Sequence, residues 1–131
     1  MRYHTRKIVK PQDLNPNNTL FGGRVLEWID EEAALYSAIQ LENKRIVTKF
    51  MSEINFVSSA VQGDIVEIGM DVVKFGKSSI ILQCEVRNKL TRKTIIRVEN
   101  ITMVNIGEDG LPKPHGKTQI EFVKDRLKKS S

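Results

Sequence analysis

Between residues 22 and 41 the apolar positions recur at helical spacing: Val25, Ile29, Ala33 and Tyr36 form one stripe, and Leu26 and Ala34 widen it. Such a stripe predicts a largely buried helix over 22–41. Trp28 and Leu35, with Glu32 between them, occupy a further face available to a partner or a sheet edge. After ENKR the period changes to two. In IVTKFMSEINFV, residues 46–57, Ile46, Phe50, Ile54 and Phe56 share a face with Thr48 and Ser52 between them, which predicts one long strand. Val66, Ile68, Met70 and Val72 mark the next strand, and SSIILQCEVRN the one after, ending near Arg87. TIIRVENITMVNI is the last strand, with a change of phase near Asn100 of the kind a β-bulge produces. A short first strand is expected over 4–9, stopped by Pro11.

The connections complete the picture. PQDLNPNNT is a loop of turn-forming residues, from which Asn18 or Thr19 is expected to cap the helix. The later strands are separated by short turns, which favours antiparallel neighbours, because parallel pairs need long crossovers. Beyond Gly110, LPKPHG is irregular, while Ile120, Val123 and Leu127 have the spacing of a short amphipathic helix. The expectation is a single α+β domain over 1–131, a long helix on a curved antiparallel sheet, with 111–131 a basic tail or short helix. One helix covers one face only and leaves sheet edges open, so self-association through those edges is expected.

Composition narrows the function. With 131 residues, 40% of them hydrophobic and 28% charged, the chain reads as one packed domain. It contains no apolar run of membrane-spanning length and no signal-peptide pattern, so the expectation is a cytoplasmic protein that does not span a membrane. Its net charge of +5 is a tail property: residues 1–110 hold 15 Lys/Arg against 14 Asp/Glu, and residues 111–131 hold 6 against 2. With only 6% aromatic residues as well, nucleic acid is not the expected partner. The single cysteine, Cys84, alternates with Ile80, Leu82 and Val86 and reads as a core residue. His4 and His115 lie near opposite ends, leaving no metal-ligand spacing, so neither metal nor cofactor is expected.

Candidate chemistry sits in LFGGRVLEWIDEEA. Asp30 shares its strip with Leu26, Ala33 and Ala34, so a partly desolvated carboxylate with general-base character fits as well as a solvated one beside Glu27 and Glu31. Gly22 and Gly23 start the helix, where free N–H groups and the helix dipole attract a carbonyl or oxyanion, although a tight turn or close packing accounts for them equally. At 1.5 Å per residue the separation of Gly23 from Asp30 is roughly 10 Å. If both serve one reaction, they come from different subunits.

At these residues the sequence resembles the hotdog-fold acyl-CoA thioesterases, in particular the acyl-CoA hydrolase branch with YciA-like enzymes. The matching stretches are D-x-N at Asp13 and Asn15, LFGG at 20–23, WIDEEA at 28–33, VT at 47–48, INF at 54–56, GD at 63–64 and FGKSS at 75–79. The resemblance implies a hotdog fold, dimers with a continuous sheet, and active sites between subunits. It implies that Asp30 activates water or attacks the thioester, while Gly22 or Gly23 of the facing subunit polarises the carbonyl. It also implies roles for Asn15 and Thr19 near the reacting group, for Asn55 and Phe56 beside it, and for Thr48. Gly76, Lys77, Ser78 and Ser79 would then follow the coenzyme A channel. Two departures stand out: Thr19 replaces the usual Asn or Asp, and VSSAV follows Asn55 and Phe56 without the familiar proline. The expected activity is acyl-CoA hydrolysis by a homo-oligomer, a trimer of dimers by family analogy, with a non-catalytic acyl-CoA sensor as the alternative. A hydratase is disfavoured, since neither histidine sits in a matching motif.

Overall fold

The computed structural model describes residues 1–120. Its elements are β1 (Arg2–Ile8), a 3-10 turn (Pro11–Asp13), α1 (Gly22–Leu41), β2 (Ile46–Met51), β3 (Ile54–Phe56), β4 (Ile65–Phe75), β5 (Ser79–Asn88) and β6 (Thr94–Asn105). The strands form one antiparallel sheet in the order β1-β4-β5-β6-β2, with β3 also paired to β6. β1 is therefore one edge, and β2 with β3 forms the other. The predicted C-terminal helix around Val123 and Leu127 lies outside the described residues.

Helix α1 buries the predicted stripe: Val25, Ile29, Ala33 and Tyr36 pack against Ile68, Met70, Leu82 and Ile101 in one core. Leu26, Trp28 and Ala34 are partly buried against it. The cap is not the predicted one. Phe21, in extended conformation, is the N-cap and its side chain caps nothing. Thr19 is already committed to the loop, where its N–H donates to Asn15 Oδ1 and its hydroxyl accepts from Asn15 Nδ2 at 2.9 Å. Asn18 turns the chain in the left-handed region at φ 61°. At the other end Glu42, also left-handed, stops the helix and donates its N–H to Ala38 O.

The predicted long strand over 46–57 is two strands, interrupted at Ser52–Glu53. Ser52 N–H donates to Asn100 O, and Ser52 Oγ accepts from Asn100 N–H at 3.0 Å. Asn100 stands where the pairing of β5 with β6 slips, between Leu82 opposite Ile101 and Cys84 opposite Val98. The anticipated phase change is thus a bulge: buried positions run Ile96, Val98, then Ile101, Met103. A second slip, between Thr48 and Phe50, overturns the single apolar face expected of Ile46, Phe50, Ile54 and Phe56. Thr48 lies opposite buried Met103 and Met51 opposite buried Ile101, whereas Phe50, opposite Thr102, turns to the outer face and is 54% exposed.

Cys84 is a buried free thiol whose pKa is pushed up to about 12 by desolvation, as a core role requires. The start of the segment over 111–131 that is expected to be a basic tail or short helix folds back on the sheet end as far as 117. Asn105 N–H donates to Ser78 O, Asn105 Nδ2 to Lys113 O, and His115 N–H to Lys77 O. Among the described residues no helix is long and apolar enough to cross a membrane, and no His/Cys/Asp/Glu group has the arrangement of a metal site.

Candidate functional site

The residues singled out by sequence gather in three places. The first is a cavity of about 370 Å³ at the start of α1, where Asn15, Thr19, Gly22 and Phe56 meet over an apolar floor that includes Val25 and Ile96. Loop geometry builds its rim. Leu14 bridges Leu20, Asn15 Oδ1 gathers the N–H groups of Asn17 and Thr19, and Leu20 N–H reaches across to Ala60 O. This fixes Phe21 so that α1 opens onto the cavity with Gly22. A β-carbon at Gly22 would stand 3.1 Å from the Phe56 ring, so glycine is what allows backbone and ring to approach. Phe56 is 59% exposed, which excludes simple core packing. The first N–H groups of α1 have no intrahelical acceptors and no side-chain cap, so the helix start offers donors and positive dipole to a bound carbonyl.

The second place is the flank of α1 toward β2. Thr48 Oγ donates to Asp30 Oδ1 at 2.7 Å, and the same hydroxyl lies 3.4 Å from Met103 Sδ. Asp30 is exposed in the single chain, so the apolar wall expected around it is not completed by its own helix: Ala33 is buried in the core, with Leu26 and Ala34 packed against it. Thr48 thus holds one oxygen of the exposed carboxylate. Asp30 does not line the cavity beside Gly22, in keeping with the roughly 10 Å of helix between them. The unpaired edge of β2 runs beside this carboxylate, while Val47 and Phe50 are exposed on the outer face of the same strand.

The third place is the turn between β4 and β5. Gly76 N–H donates to Ser79 O, and a β-carbon on Gly76 would meet Ser79 Oγ at 2.2 Å, so any side chain there would require the Ser79 hydroxyl to turn away. Lys77 projects into solvent while its carbonyl and those of Ser78 and Ser79 are taken by His115 and Asn105. Neither this turn nor Asn55 borders the first cavity; Asn55 precedes Phe56 on β3 and so points to the opposite face.

Sequence reasoning missed Glu32. It is 5% exposed, accepts a hydrogen bond from Thr5 Oγ at 2.8 Å, and its pKa is raised because burial disfavours the charged carboxylate. No local signal reveals this, since its partner is on β1, 27 residues away in sequence. Asp13 is likewise buried, accepting from Lys10 N–H and lying 3.2 Å from Arg24 Nε.

A helix enclosed by an antiparallel sheet, with an open edge beside a helical carboxylate, defines a hotdog-fold protein. The chain belongs to the thioesterase superfamily, whose family model matches residues 17–95. An uncharacterized acyl-CoA thioester hydrolase of Buchnera aphidicola is 33% identical over 81 residues, 62% of this chain and 59% of that protein. The chain thus spans little more than half the length of that relative. A hexameric acyl-CoA thioesterase solved in its apo form is 35% identical, with a TM-score of 0.76, over 84% of this chain and 72% of that one. A hexameric hotdog fold thioesterase of Campylobacter jejuni is 25% identical over 97% of this chain and 96% of its own, with a TM-score of 0.75.

Proposed function

We propose that the protein is an acyl-CoA thioesterase, releasing free acid and coenzyme A, whose active site is completed by a second copy of the chain. The observation that carries this reading is the division of the chemistry: an exposed, threonine-oriented Asp30 at one flank of α1, and an uncapped glycine start over a cavity at its end. Pairing of two β2 edges would continue the sheet and give the unpaired backbone groups of β2 their partners, with Val47 and Phe50 on the outer face flanking the seam. It would also bring Asp30 of one protomer toward the partner's cavity. The hexameric relatives support assembly of such dimers into a trimer of dimers.

Each part has a chemical task. The N–H groups at Gly22 and Gly23 donate hydrogen bonds to the thioester carbonyl oxygen and stabilise the negative charge it gains as the carbonyl carbon becomes tetrahedral. Asp30 either takes a proton from the attacking water or attacks as nucleophile and is released by water afterwards. In both routes the C–S bond breaks, coenzyme A leaves as thiolate and takes up a proton, and no redox change occurs. Asn15 and Thr19, at the cavity rim, orient substrate or water. Lys77 meets phosphate on the coenzyme A side, along the turn of Gly76, Ser78 and Ser79. Asn55 has no part in this arrangement that its position on β3 explains.

The test is thiol release across short, medium, long and aryl acyl-CoAs. Saturable release from at least one class supports the reading. Binding of acyl-CoA without release from any of them would replace it with a sensor on the same fold.

A further inference from the structure

A second cavity, of about 360 Å³, lies on the other flank of α1, between the end of β1, the 3-10 turn and the first two turns of the helix. Its walls carry Arg6, Lys7, Lys10 and Arg24, against the single carboxylate of Asp13, and the indole of Trp28. Trp28 and Asp30 are two residues apart, about 200° around a helix, so this cavity and the proposed catalytic carboxylate face opposite ways.

The counter-charge available to these cations is meagre. Arg6 lies 3.9 Å from Glu67, a carboxylate already shared with Arg87 at 2.7 Å and Lys89 at 3.8 Å. Arg24 lies between Asp13 and Glu27, yet its buried Nε–H makes no hydrogen bond although Asp13 Oδ1 is 3.2 Å away. Among the described residues neither Lys7 nor Lys10 has an ion-pair partner within 4 Å, and the acid facing Lys7 is Glu32, whose burial favours its neutral form. Cations left to converge on a concave site repel one another unless an anion joins them.

The geometry points to a binding site for a nucleoside phosphate in this cavity, its phosphates held by Lys7, Lys10 and Arg24 and its base set against Trp28. Arginine and lysine supply the charge-assisted bonds that phosphate oxygens prefer, and the indole supplies a flat apolar surface for a ring. The site is linked to the start of α1. Arg24 pairs with Asp13, and Asp13 O accepts the Phe21 N–H at 2.8 Å, one residue ahead of Gly22. A phosphate that draws on Arg24 therefore acts on the same turn that presents the glycine donors. The binding claim is independent of thioester hydrolysis, because it is read without acyl-CoA.

Trp28 is the only tryptophan, so its fluorescence reports this cavity directly. Titration of the full chain with ADP, corrected for absorbance, should give saturable quenching that weakens as salt rises. The Lys7→Gln/Lys10→Gln double variant should raise the apparent Kd about tenfold or more with its melting temperature unchanged, and Lys10→Gln alone should raise it less. Lys77→Gln should leave it unaltered. Inorganic pyrophosphate should displace ADP, and adenosine should fail to bind. Absence of saturable quenching, binding of adenosine as tight as that of ADP, indifference to the double variant, or loss of binding in Lys77→Gln would each overturn the proposal.

Discussion

Helix α1 carries two carboxylates two residues apart, and each accepts one threonine hydroxyl from a flanking edge strand. Asp30 takes Thr48 of β2 at 2.7 Å, and Glu32 takes Thr5 of β1 at 2.8 Å. The hydrogen bonds are nearly the same; the surroundings are not. Asp30 is exposed at an open sheet edge, whereas Glu32 is sealed between α1 and β1 with 5% exposure. A carboxylate that must meet substrate needs an approach, and one that fastens a helix to a strand needs none. Local sequence offers Asp30 and Glu32 as equivalents, and only the strand that each one faces separates their roles.

The largest effect that divides them concerns hydrolysis. Asp30→Asn should lower kcat by about 10²–10⁴-fold, the range for loss of a general base, with unchanged circular dichroism and oligomeric mass. Glu32→Gln should stay within about threefold of the parent, since neither route of the proposed chemistry uses it. Thiol-release kinetics on both variants decide the matter; equal losses would dissolve the distinction.

Assembly comes next. Replacing Phe50 by Asp puts a charge on the apolar outer side of β2, where the exposed ring is 54% accessible. If two β2 edges complete the site, the smallest oligomer and the activity should fall together, by about tenfold or more in kcat, and both should recover in Phe50→Leu. Analytical ultracentrifugation beside the assay reads the coupling. Activity retained in a monomer would return both halves of the site to one chain.

A smaller effect separates the two threonines. Thr48→Val removes the hydroxyl that orients Asp30, a hydrogen bond to a charged group worth about 1.5–3 kcal/mol, and should reduce kcat by about tenfold or more with little change in KM. Thr5→Val should leave kcat in place and lower the melting temperature instead, because it strands the buried oxygen of Glu32.

The uneven legibility of these features has physical causes. The stripe of Val25, Ile29, Ala33 and Tyr36 was readable because a helix repeats locally, and the phase change near Asn100 because alternation itself breaks there. The slip at Lys49 has no local signal: IVTKFM keeps an apolar pattern in either register, so simple alternation puts Phe50 on the wrong face. Asn18 and Thr19 suit a helix cap by residue type, but Asn15 claims Thr19 first, which depends on loop closure rather than composition. The glycine start and Asp30 were recognisable by motif, while the cavity joining Asn15, Thr19, Gly22 and Phe56 exists only once β3 reaches the head of the helix.

The smallest effect tests the sealed side through pH. Burial raises the Glu32 pKa in the folded chain above that in the unfolded chain, Thr5 opposing the shift only in part. The unfolded state therefore releases this proton first as pH rises. The favourable contribution of neutral Glu32 is complete below the unfolded carboxyl pKa, near 4.3 for an ordinary glutamate, and is lost as pH rises through the higher folded value. Glutamine keeps an acceptor for Thr5 without ever ionising. Glu32→Gln should thus match the parent in melting temperature near pH 4 and exceed it by a few degrees, about 2–5 °C, at pH 8. Asp30→Asn, at an exposed position, should give no comparable gain at pH 8. A pH-dependent gain at Asp30 in place of Glu32 would reverse which of the two carboxylates is sealed in the fold.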